Sequence, residues 1–95
     1  MKAMLAYHDK QVLPGGAIVE MKIWEAPQSV SGSAHRFKYS LFYGKKGERI
    51  VGYDNERGKG DHRHFQGAET EYEFTTVEQL MADFLSDMRA LRGEV

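Results

Sequence analysis

Residues Tyr53 to His64 concentrate the groups of this chain that can move protons or hold anions. The run Tyr-Asp-Asn-Glu-Arg-Gly-Lys-Gly-Asp-His-Arg-His carries three cations (Arg57, Lys59, Arg63), three carboxylates (Asp54, Glu56, Asp61) and two histidines (His62, His64), with Gly58 and Gly60 to bend the backbone. Cleavage of RNA without a metal needs these residue types. A 2′-hydroxyl must lose a proton, the leaving 5′-oxygen must gain one, and the charge of the phosphorane must be held. Histidine titrates near neutral pH and suits either transfer, so His62 and His64 are the candidate acid–base pair. Glu56 or Asp61 could act as base or orient an imidazole. Arg57, Lys59 and Arg63 suit the phosphate, arginine through two parallel hydrogen bonds. The glycines would let backbone amides approach it as well.

Two other readings use the same residues. His62-x-His64 in a strand puts two imidazoles on one side, with Asp61 adjacent and His8 or His35 as further ligands. Zinc needs three or four converging donors, and a bare His-x-His supplies two, so neither a metal nor any other cofactor is expected. Alternatively, the charges pair with one another around a tight loop. Exposed pairs add little stability, and pairing does not account for the histidines and glycines.

Charge is unevenly spread. Residues 1–34 sum to zero; residues 35–64 carry eight Lys/Arg against four acids, or +4; residues 65–95 carry two Arg against seven acids, or -5. The net charge is only -1, so the basic middle points to a local anion site rather than general coating of nucleic acid. With 95 residues and no cysteine, the chain reads as one α+β domain over 1–95 without disulfides, which fits a reducing cytoplasm. No signal-peptide h-region or membrane-length apolar run is present, so a cytoplasmic protein without membrane association is expected.

The elements that must position the charged stretch follow from periodicity. Residues 3–13 and 17–25 read as two strands joined at Pro14-Gly15-Gly16. In the second, Val19, Met21 and Ile23 share one face. Residues 26–34 form a polar connection that could act as a lid. In residues 35–43, Phe37, Tyr39, Leu41 and Tyr43 point one way and Arg36, Lys38, Ser40 and Phe42 the other. After a turn at Gly44-Lys45-Lys46-Gly47, residues 49–54 return as a fourth strand. The part around Gly58 and Gly60 is a loop, and His62 to Phe65 start a short strand with both histidines on one face. Tyr72 and Phe74, alternating with Glu71 and Glu73, suggest a last edge strand. Thr75-Thr76-Val77-Glu78 matches a capping box, with Thr75 as the cap. Val77, Leu80, Met81, Phe84, Leu85, Met88 and Leu91 then follow one helical stripe, stopped by Gly93. The expected fold is an antiparallel sheet of five or six short strands with one C-terminal amphipathic helix on one face. The helix should cover Val19, Met21, Ile23, Phe37, Tyr39 and Leu41. The opposite face then shows Lys22, Trp24, Arg36 and Lys38, with His8 a further candidate. Cations mixed with an aromatic ring suit RNA, although taken alone the pattern fits an ordinary solvated sheet face better.

The twelve-residue stretch resembles the signature of the TumE family of bacterial toxin–antitoxin toxins. The resemblance extends to His35-Arg36-Phe37-Lys38-Tyr39, to Leu41-Phe42-Tyr43-Gly44 and to Thr76-Val77-Glu78-Gln79-Leu80, and so spans most of the chain from Gly15 onward. It implies a helix-turn-helix antitoxin encoded nearby as partner, but no catalytic residue. By analogy with other small toxins, a metal-independent endoribonuclease is expected. In that reading His62 and His64 exchange protons, Glu56 or Asp61 orients, Arg57, Lys59 and Arg63 bind phosphate, and Arg36 and Lys38 grip the RNA. The alternative is a module that binds RNA or protein through the same charges without chemistry. A homodimer is compatible with either.

Overall fold

The computed structural model describes residues 4–30, 32–56 and 58–92. Arg57 and Gly93 lie outside the described residues, as does the side chain of Glu56. The chain forms β1 (Met4–Val12), β2 (Ile18–Glu25), β3 (Phe37–Lys45), β4 (Glu48–Glu56), β5 (Gly60–Phe65), β6 (Ala68–Glu71) and α1 (Val77–Arg92). The six strands make one antiparallel sheet in chain order. Each therefore pairs with its sequence neighbour, through short hairpin connections everywhere but at residues 26–36 between β2 and β3. The fold is α+β, one sheet and one C-terminal helix.

One face of the sheet is the core. Val19, Met21 and Ile23 of β2, Tyr39, Leu41 and Tyr43 of β3, and Val51 and Tyr53 of β4 are all buried there, beneath Leu80 and Phe84 of the helix. Strand periodicity of two and helix periodicity of 3.6 produce this layer pair directly. The rest of the helical stripe (Val77, Met81, Leu85, Met88, Leu91) packs around its margin, as does Phe37. Burying Phe84 fully contributes a few kcal/mol: replacing such a ring by alanine costs about 3–5 kcal/mol.

The helix is also bolted on by polar bonds. Arg63 of β5 forks onto Asp87, Nε to Oδ2 at 2.7 Å and Nη2 to Oδ1 at 3.0 Å. The Tyr53 hydroxyl donates to the same Asp87 Oδ2 at 2.5 Å. One turn earlier, Asp83 accepts from the Tyr72 hydroxyl at 2.6 Å. Burial, reinforced by these carboxylates, holds the Tyr53 and Tyr72 phenols protonated well above their ordinary range.

Three local expectations are corrected. The fourth strand is not 49–54 but runs from Glu48 to Glu56, because the connection to β5 is tight and lets pairing continue to Glu56↔Gly60. The edge strand is Ala68–Glu71, not the Tyr72–Phe74 alternation. Gln66 and Gly67 both take positive φ (49° and 86°), which makes a two-residue hairpin that returns at once. Tyr72 and Phe74 then leave the sheet to pack on Tyr53 and His35. The helix cap is Thr76, whose Oγ1 accepts from the Gln79 amide at 3.0 Å, rather than Thr75. Both threonines fit the capping pattern; Phe74, fixed in an aromatic stack, leaves Thr75 outside the helix.

The connection over residues 26–36 is tied down rather than loose. Val30 is buried, its amide donates to the His35 carbonyl, and the Ser33 amide donates to the Val30 carbonyl. Gly32 lies backbone to backbone against the β4–β5 connection. A Cβ added there would meet Gly60 N at 2.8 Å, and one added at Gly60 would meet Gly32 O at 3.0 Å. Both glycines also take positive φ. No side chain fits between these two loops.

Candidate active site

The alternation of β5 divides the charged stretch between two faces. Asp61, Arg63 and Phe65 face the helix; His62 and His64 face away from it, across from Asp54 and Gly52 of β4 and from Glu71 and Glu69 of β6. The structure thus brings His62 and His64 together, and both line one pocket of about 160 Å³ with Arg49, Asp54, Lys59 and Glu69.

His64 is held by two neighbours. Its Nδ1 accepts from Arg49 Nη2 at 3.0 Å, and its Nε2 points at Asp54 Oδ2, 3.5 Å away. The arginine donates only, so the Nδ1 lone pair faces it. Arg49 Nη1 reaches the same Asp54 oxygen at 3.5 Å. This arrangement depends on Gly52. A Cβ on Gly52 would meet Arg49 Cδ at 2.6 Å, so the arginine crosses the sheet over the place where a side chain would stand. His62 Nε2 donates to the Lys59 carbonyl at 2.8 Å, while Nδ1 lies 3.3 Å from Glu69 Oε2. Both nitrogens of His62 therefore face acceptors. Among the described residues no His, Asp and Glu side chains converge in threes as a metal site would require.

The other expected residues lie elsewhere. Arg63 is on the helix-facing side, half-buried and forked onto Asp87, which raises its pKa further. It is not brought to the imidazoles. Arg36 pairs with Glu25 at 3.1 Å, and Lys38 reaches the Asn55 carbonyl at 3.4 Å; both are exposed. They lie toward the β2–β3 side, outside the histidine pocket. Lys59 lines that pocket. Arg57 and the Glu56 side chain lie outside the described residues. His8 bonds Glu20 at 2.9 Å on the β1–β2 hairpin, which lowers the Glu20 pKa.

Asp61 sits in a second, nearly closed cluster. Its Oδ1 accepts from the Ser33 hydroxyl at 2.5 Å; its Oδ2 accepts from His35 Nε2 at 2.6 Å and from the Tyr39 hydroxyl at 2.7 Å. His35 Nδ1 accepts from the Phe37 amide at 3.1 Å, which fixes the tautomer with hydrogen on Nε2. Burial first, then Asp61, pushes the Tyr39 phenol far up. Asn55, fully buried, accepts from the Tyr39 amide at 2.8 Å and donates to the Phe37 carbonyl at 2.6 Å. Its side chain takes over where β3–β4 pairing ends at Ser40↔Asp54. This cluster orders the 26–36 connection.

Sequence reasoning did not single out Arg49, Glu69, Ser33, Tyr39 or Asn55 as site residues, and gave Asp54 no role on the histidine face. One legible signal existed: a glycine inside a strand, Gly52, marks a close approach by another group.

A family model described as Toxin TumE matches residues 6–92. No curated protein and no solved structure matches the chain. The chain belongs to the TumE toxin family. It is a toxin of a toxin–antitoxin system, and an antitoxin is its partner.

Proposed function

We propose that this TumE-family toxin is an endoribonuclease whose chemistry is done on the helix-free face by His62 and His64. One observation carries the reading. Two imidazoles, two residues apart on one strand, open onto a single pocket that also holds a guanidinium and an ammonium. Those are the parts that transesterification of a phosphodiester requires.

In the step envisaged, one imidazole takes the proton of the 2′-hydroxyl and O2′ attacks phosphorus. The other gives a proton to the departing O5′. The products are a 2′,3′-cyclic phosphate and a 5′-hydroxyl end. His64 suits the base and His62 the acid. Among the described residues Arg49 is the group bonded to the His64 Nδ1 lone pair, and an arriving phosphate would draw that guanidinium to itself and uncover the nitrogen. His62, with both nitrogens facing acceptors, is arranged as an imidazolium is. Asp54 keeps the His64 ring turned, and Lys59 and Arg49 hold the phosphorane charge. Arg36 and Lys38, farther along the same face, suit the flanking backbone of the RNA. The reaction would run in the cytoplasm, on toxin released from its antitoxin.

The test uses purified toxin freed of antitoxin, incubated with RNA in EDTA. Fragments ending in cyclic phosphate, and their loss in His62→Ala and His64→Ala proteins that still fold, are expected. Fragments only on restoring a divalent ion would point to metal chemistry instead. Intact RNA with salt-sensitive binding would make the protein a non-catalytic binder.

A further inference from the structure

A larger cleft, about 370 Å³, opens beside the histidine pocket and has no part in the mechanism above. It lies between the tied-down connection at Gly32 and Ala34 and the segment Glu71 to Phe74. Its volume falls within the range of small-ligand sites, about 300–1,000 Å³. Two features join it to the pocket. Lys59 lines both, and Glu71, on the cleft, stands directly opposite His62 in the β5–β6 ladder.

Its aromatic wall is fixed. Phe74 stacks on His35 with ring centroids 3.8 Å apart and planes 24° from parallel. His35 cannot turn, because Asp61 and the Phe37 amide hold its two nitrogens. Rigid rings of this kind are what unpaired RNA bases stack on. The rim adds Glu71 and Glu73, exposed carboxylates with no hydrogen-bond or ion-pair partner among the described residues.

We infer that this cleft receives the base of a nucleotide flanking the scissile phosphate, and that guanine is preferred. The inference takes its location from the ribonuclease reading above. The cavity and its aromatic wall make the place for a base; the carboxylates select which. An ionised carboxylate only accepts hydrogen bonds. On its Watson–Crick edge guanine offers two adjacent donors, N1–H and the N2 amino group. Adenine and cytosine set an acceptor nitrogen beside their amino group, and uracil offers a single N–H between two carbonyls. The same negative rim disfavours phosphate in the cleft. Phosphate and base are thereby sorted between neighbouring sites.

The experiment titrates antitoxin-free, full-length toxin with guanosine, adenosine, cytidine and uridine, by calorimetry and by amide NMR shifts. Nucleosides carry no phosphate, so binding at the histidine pocket is not favoured. Guanosine is expected to bind at least tenfold tighter than the others and to shift residues 32–34 and 73–74. Glu71→Gln/Glu73→Gln should lose that preference at least tenfold with an unchanged urea midpoint. Equal binding of all four, no binding, or shifts confined to residues 62–64 would overturn the inference. The two readings fail separately. Guanosine seated beside Phe74 in a protein that cuts no RNA sinks the nuclease and leaves the base site. RNA cut with no guanine preference, unaltered by the double variant, does the reverse.

Discussion

Residues 61 to 65 of β5 build two different surfaces from five consecutive positions. Facing the helix, Asp61 gathers Ser33, His35 and Tyr39, and Arg63 forks onto Asp87. Facing away, His62 and His64 share an open pocket with Arg49, Asp54, Lys59 and Glu69. The helix-facing charges are closely paired, with Asp61 shut in at 9% exposed and Arg63 one-third exposed but forked onto Asp87. Each outward imidazole has one hydrogen bond, at 2.8 Å for His62 and 3.0 Å for His64, but its carboxylate contacts are longer, at 3.3 and 3.5 Å. A buried charge must be fully satisfied or it destabilises the fold, whereas a loosely held one at a pocket can exchange its partner for substrate. Within β5 the odd-numbered residues thus serve the scaffold, and the even-numbered ones line the pocket where the proposed chemistry would run.

Four measurements would sharpen or break that division. The largest effect is expected at the even positions. His62→Ala and His64→Ala should each lower RNA cleavage about 10²–10⁴-fold, the usual worth of an acid or base, while the unfolding free energy from urea titration changes by less than about 1 kcal/mol. Full toxicity in both would end the acid–base assignment. Next comes Asp61→Ala, which leaves three donors without their acceptor and should cost about 3–5 kcal/mol of stability. If the protein instead stays as stable as before and only cleavage is lost, Asp61 belongs with the chemistry.

Gly52→Ala probes the pocket without replacing any charged residue of either face. Its methyl would push aside the flexible Arg49 side chain rather than backbone. Cleavage should fall about tenfold, the equivalent of roughly 1.4 kcal/mol, with stability nearly unchanged; unaltered kinetics would free Arg49 of its role. The smallest effect concerns the scaffold at high pH. Tyr39, Tyr53 and Tyr72 have phenols raised by burial and by their carboxylate partners. A raised phenol keeps its proton longer in the folded state, so its contribution is complete below the unfolded value of about 10 and is lost as pH climbs beyond it. Stability should therefore decline above about pH 10. Tyr53→Phe should flatten that decline and cost about 1–2 kcal/mol at neutral pH. A variant as steep as the parent would place the alkaline transition elsewhere.

Much of the scaffold was legible beforehand because it follows from local periodicity. Phe37, Tyr39, Leu41 and Tyr43 alternate, and Val77 to Leu91 recur at helical spacing; both patterns report which side meets water. Boundaries were less legible. Gln66-Gly67 is a hairpin turn made by a non-glycine residue at positive φ, and two adjacent threonines competed for one cap. The site was legible only in part. That His62 and His64 share a face follows from strand spacing alone. That Arg49 reaches them over Gly52, and that Asp54 and Glu69 stand across the ladder, depends on register between strands, which no single segment contains.

By itself, then, the sequence determined a one-helix, antiparallel sheet and put both imidazoles on a common side, since these depend on spacing within single elements. Tertiary structure decided which charges stand beside them. Pairing of β4, β5 and β6 brings Arg49, Asp54 and Glu69 to the histidines. The fork onto Asp87 of α1 draws Arg63 away, and the docked 26–36 connection withdraws Asp61, because a carboxylate shut in there must find its hydrogen-bond donors on the spot.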